Sequence, residues 1–184
     1  MQSEKLIQNL SEQTKQIITQ TEKFKSFDLN TLTWKENEIS WSILECLEHL
    51  NLYGSFYLLK MESAIKNSPT KTDIEFRSGF LGNYFAKSIL PKEKLNKMKT
   101  FKDKNPLNAN LDKVVIDNFI KQQIKFLKLL NQSRKVNLNK VKIQTSISSL
   151  IKLKLGDAFQ FHINHIIRHL SQIDRIQQKM KHAR

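Results

Sequence analysis

The stretch from Asp157 to Gln178, DAFQFHINHIIRHLSQIDRIQQ, constrains this chain more than any other, because it sets both a helix and what that helix has to bury. At helical spacing Phe159, Ile163, Ile166, Leu170 and Ile173 form one apolar stripe, and His162, His165 and His169 run beside it at the edge of the buried face. Imidazoles are thereby placed against a core. His165 and His169 are four residues apart, which stacks them about 5–6 Å apart at Cβ, close enough to reach one metal ion together. The same spacing also serves plain packing or a polar network. A metal site needs a further ligand from another helix, and the histidine available in an amphipathic segment is His49, within WSILECLEHLNLY.

Read in order, the chain offers three more amphipathic helices. Leu6, Leu10, Ile17 and Phe24 give one over about 2–27, and Asp28, Asn30, Thr31 and Thr33 then favour turns and caps. Ser40 is placed to cap a second helix, about 41–66, with Trp34 and Trp41 clamping the connection by ordinary packing. In that helix Gly54 marks a point of close approach by another helix, and Cys46 is either a small core residue or a reactive thiol. Glu45, one turn before His49, has two readings. It either accepts the second ring N–H of His49 or lies as a solvated acid on the helix face. Residues 67–111, broken by Pro69, Pro91 and Pro106, form a long crossover with a short helix within about 77–88 and a turn at Pro91–Leu95. A third long helix covers about 112–133, a polar stretch fills 134–152, and the histidine helix runs over about 155–180.

With only 4 Gly and 3 Pro in 184 residues, long helices are favoured over many short strands, and the four stripes bury best in one shared core. The expectation is a single all-α domain over residues 1–184, a four-helix bundle whose long crossover lets helices two and three run parallel. One cysteine excludes an internal disulfide framework, and the N-terminus has no apolar run for export or spanning, so a cytoplasmic protein without membrane contact is expected. The net charge of +14 suggests nucleic acid, but its distribution does not support that partner. Between Lys87 and Lys142 there are 15 lysines and arginines against 4 acids, yet they are scattered through loops and polar faces, and the chain has five arginines in all. Phosphate clamping and base reading favour the planar guanidinium.

Several motifs resemble the DinB-like superfamily, which includes bacillithiol-transferase-type metalloenzymes. WSILECLEHL is similar to its Trp-Ser-x-x-Glu-x-x-x-His-Leu second-helix signature, and HIIRHLSQIDRI to its His-x-x-x-His-Leu-x-Gln-Ile final-helix signature. MKTFKDKNP resembles the Lys-Thr-x-Lys-x-x-x-Pro stretch of one branch, and LKLGDAF the lead-in to the last helix. The resemblance implies an up-down-down-up four-helix bundle, a homodimer, and a divalent metal bound by His49, His165 and His169. His162 matches no ligand position of the pattern; it either lines the pocket, supports a ligand, or substitutes for one. Gln172 matches the family's glutamine and either hydrogen-bonds within the site or caps its polar edge. His182, in the basic tail, is expected in solvent.

Three neutral imidazoles leave a divalent ion its full charge and an open position, where water or a thiol loses a proton near neutral pH. The resulting expectation is a metal-dependent thiol S-transferase or hydrolase acting on a small molecule, with a low-molecular-weight thiol as one substrate class. Zinc, nickel, manganese, iron and cobalt all suit such ligands. No general base is evident, since Glu45 or Glu48 serves only if packing turns it toward the metal. The alternative is a non-enzymatic module that contacts nucleic acid or an acidic protein through its lysines.

Overall fold

The computed structural model describes residues 1–91, 100–148 and 150–183. It is predominantly helical, with one small antiparallel sheet among the described residues. The helices are α1 (Ser3–Glu22), α2 (Leu29–Thr33), α3 (Ile43–Lys66), α4 (Phe80–Ser88), α5 (Val114–Gln132) and α6 (Leu155–His182). Helix α1 packs on α5 and α6, and α3 packs on the same two. One continuous core results. It includes Ile7 and Ile17 of α1, Leu47 and Met61 of α3, Phe119 and Phe126 of α5, and Phe159 and Ile173 of α6.

The expected long helices are present with small shifts of boundary. The first ends at Glu22 and tightens into a 3-10 turn over Lys23–Ser26. Asp28 caps the short α2, its carboxylate accepting from Thr31 N–H at 2.7 Å. Helix α3 begins two residues later than expected, and Ser42, not Ser40, is its cap. Ser42 Oγ accepts from Glu45 N–H at 3.2 Å while Glu45 Oε2 accepts from Ser42 N–H at 2.7 Å, a reciprocal pair that satisfies two otherwise orphaned donors. Gly54 is the expected close approach: a Cβ there would lie 1.8 Å from Gln122 Oε1 of α5.

The crossover contains the expected short helix, α4, and the turn expected at Pro91–Leu95 falls largely outside the described residues. Helix α4 is tied to α6 by Asp157, which accepts from Ser78 Oγ and from Gly79 N–H. Gly82 permits that contact, since a Cβ there would sit 2.1 Å from the Asp157 carboxyl carbon. Farther along, Asn164 Nδ2 donates to Ala86 O at 2.8 Å.

The polar stretch over 134–152 departs from expectation. It includes strand β1 (Lys142–Gln144), paired antiparallel with β2 (Lys152–Lys154), and it buries Val136, Leu138, Val141 and Ile143. Alternation explains the part around β1, where Val141, Ile143 and Thr145 face the core and Lys142 and Gln144 turn away from it, whereas Val136, Asn137 and Leu138 are buried consecutively ahead of the strand.

Candidate metal centre

Helix α3 presents His49 and α6 presents His165 and His169 to one point in the core. His49 Nε2 lies 3.2 Å from His165 Nε2, and His169 Nε2 lies 3.0 Å from the same atom. The three ligand atoms are all within 4.8 Å of one another, and all three residues are buried. No carboxylate joins this group among the described residues.

The nitrogens on the far side of two rings fix how the near side is used. His49 Nδ1–H donates to the Lys104 carbonyl at 2.7 Å, and His169 Nδ1–H to Gln172 Oε1 at 3.0 Å. Both residues therefore turn an unprotonated Nε2 toward the centre. His165 Nε2 sits between those two lone pairs and has at most one proton to give. At least one close nitrogen pair is left without a hydrogen between its atoms, an arrangement that a cation at the centre relieves. The donor set fits a divalent metal in this sense, and the three residues can hold one.

Burial keeps the rings in the ligating form. Desolvation pushes His49 down to about 4, against a smaller opposing effect of the Lys104 carbonyl. It pushes His169 down to about 3, helped by the neighbouring His49. His165 is held well below the ordinary histidine value, by burial first and then by His169 and His49. At neutral pH the cluster is a set of uncharged imidazoles.

Aromatic rings wall the centre. Trp41 lies 4.7 Å from the His49 ring and stacks on His169 at 5.8 Å, centroid to centroid, so its role exceeds clamping a connection. Tyr53 lies 4.9 Å from both His49 and His165. Burial pushes the Tyr53 phenol up to about 12, with smaller contributions from Tyr57 and Asp103.

Glu45 fits neither expected reading. It is buried and does not touch His49, whose second nitrogen is taken by Lys104. Its carboxylate instead accepts from Ser42 N–H, from Asn108 N–H at 2.6 Å and from Lys35 Nζ at 2.7 Å. Burial raises its pKa, but Lys35 and the two N–H groups outweigh that and hold it below the ordinary carboxylate range. Asn108 adopts φ 63°, a left-handed conformation that asparagine tolerates. Glu45 thus fastens the segment that brings the Lys104 carbonyl to His49, and it serves the histidine through the backbone. Glu48 accepts from Asn51 Nδ2 at 3.2 Å, so neither glutamate is turned to the centre.

The remaining histidines are elsewhere. His162 faces Phe126 of α5 at 4.8 Å, outside the cluster, and its buried Nε2 has no hydrogen-bond partner among the described residues. His182 is exposed. Sequence reasoning missed the Lys104 carbonyl, Tyr53 and the part Trp41 plays. A backbone acceptor leaves no side-chain signal, but Tyr53, one turn after His49, shares its helix face.

A family model described as the DinB superfamily matches residues 13–173. No curated protein and no solved structure was found to match the chain.

Proposed function

This chain belongs to the DinB superfamily, and from that premise we propose that His49, His165 and His169 bind one divalent ion in a metal-dependent thiol S-transferase or hydrolase. The observation behind the reading is the convergence of three Nε2 atoms whose outer partners, Lys104 O and Gln172 Oε1, leave lone pairs pointing inward. A divalent ion on three neutral imidazoles supplies Lewis acidity and an open position at which water or a thiol is activated near neutral pH.

The protein's own groups orient and enclose. Lys104 O and Gln172 hold two ring tautomers, Glu45 holds the segment that delivers Lys104 O, and Trp41 and Tyr53 keep bulk water from the rings. The pairing of α1 and α3 each with α5 and α6 supports an up-down-down-up four-helix bundle as a single domain. We read the substrate as a small molecule, a low-molecular-weight thiol with an electrophilic partner being the first class to screen, and the working form as a cytoplasmic homodimer.

The test is the metal content of untagged protein purified without added metal, beside a variant with His49→Ala, His165→Ala and His169→Ala. About one divalent ion per chain, lost in the variant, is expected. Absence of metal from both, even after incubation with zinc, nickel, manganese or iron, overturns the reading. The loaded protein is then assayed for thiol consumption with an electrophile and for ester or amide hydrolysis.

A further inference from the structure

The β1–β2 pair has two faces of opposite character. Val141, Ile143, Leu153 and Leu155 point into the core. Alternating with them, Lys140, Lys142 and Lys152 are exposed and Lys154 is half-buried, so the outer face carries four lysines beside Gln144. Lys142 stands directly opposite Lys154 in the register. Like charges placed directly opposite on a sheet repel and weaken the pair.

Lysines elsewhere on the surface find acids: Lys25 reaches Asp117, Lys125 reaches Glu62 and Lys179 reaches Glu36. No such ion pair involves Lys140, Lys142, Lys152 or Lys154 among the described residues. Lys154 instead donates to the Arg77 carbonyl. Large apolar side chains are exposed next to these strands. In the connection between the strands Leu150 is 90% exposed and Ile147 45%. Phe80, which opens α4, is 89% exposed, and the Lys154 side chain lies 3.6 Å from where a Cβ of the adjacent Gly79 would be.

We propose that this face docks on an anionic lipid bilayer, with the lysines meeting headgroup phosphates and Leu150, Ile147 and Phe80 reaching the acyl boundary. A bilayer engages both the charge and the exposed aliphatic groups, whereas a nucleic-acid backbone satisfies the lysines alone. The strands supply no arginine, the usual fork for phosphate and base recognition. No helix among the described residues is long and apolar enough to cross a membrane, and docking of this kind needs none. It revises the sequence-based expectation of no membrane contact and is independent of the metal.

The full chain is sedimented with vesicles of phosphatidylcholine alone or containing about 30 mol% phosphatidylglycerol, at salt rising from about 0.1 to 0.5 M. Binding to the anionic vesicles only, released by salt, is expected. Combining Lys140→Ser, Lys142→Ser and Lys152→Ser lowers partition at least about tenfold, each lysine near such a surface contributing a factor of about five. A control with the same charge loss, Lys15→Ser, Lys121→Ser and Lys128→Ser on α1 and α5, lowers it by no more than about twofold. Leu150→Ser weakens binding several-fold, by a factor that salt does not change. Thermal melting confirms that the variants fold. No binding of the wild type to anionic vesicles, or equal losses in the two triple variants, overturns the proposal. Tighter binding to duplex DNA than to vesicles, lost with the same three lysines and indifferent to Leu150, assigns the face to nucleic acid and overturns it as well.

Discussion

Helix α6 buries His162 and His165 less than a turn apart, at 4% and 6% exposure, and puts them in opposite situations. Burial keeps both rings neutral, lowering His162 to about 4 and His165 well below the ordinary value. His165 meets two imidazole nitrogens at 3.2 and 3.0 Å, whereas His162 meets the Phe126 ring at a tilt of 54° and leaves Nε2 without a hydrogen bond among the described residues. Burial on a helix therefore does not bring a ring into the cluster. Convergence does, together with outer hydrogen bonds that decide which nitrogen faces in.

The sharpest way to break that contrast is to remove each ring in turn. His165→Ala should lower metal affinity by more than the roughly 100-fold that losing a supporting hydrogen bond costs, while His162→Leu changes it less than about threefold; competition with a chromogenic chelator reads both. Equal losses would mean that His162 belongs to the centre. The second test is acid. His49 and His162 sit at about 4 in the fold against about 6.5 in an unfolded chain, so between those values the unfolded state takes up protons that the fold refuses. Stability of chelated, metal-free protein should be full above about pH 6.5, fall as pH drops and stop falling on their account near 4, each histidine adding a slope of about 1.4 kcal/mol per pH unit. Urea midpoints across that window should show one histidine's share of the slope gone in His162→Leu. The smallest effect is at neutral pH, where His162→Leu should stabilise by about 1 kcal/mol, because an unsatisfied buried nitrogen gives way to carbon against Phe126. A loss of several kcal/mol in calorimetry would show that His162 has a partner after all.

How legible these parts are in the sequence follows from the period each one needs. Long helices repeat their apolar stripe many times, so α1, α3, α5 and α6 emerge with ends displaced by a few residues. His165 and His169 are legible because one turn separates them, and His49 because few histidines compete. Glu45 is harder. Its spacing to His49 suggests a direct contact, yet Ser42-Ile43-Leu44-Glu45 is also a capping box, and the backbone donors of the helix start claim the carboxylate. The strands are hidden differently. Lys140–Gln144 and Ile151–Leu155 alternate with period two, but each strand is three residues long, and the lysines dominate any count of polarity. Lys104 illustrates the true limit, since what it contributes is a carbonyl that every residue has.

The separation of His49 from His165, 116 residues along the chain, has a consequence in time. At about 5–20 residues per second, a ribosome makes His165 roughly 6 to 23 s after His49. During that interval the α3 imidazole has no partner from α6, and no partial version of the cluster can assemble earlier. The centre therefore cannot form until α6 has been made, and its formation certifies that α3 and α6 have met.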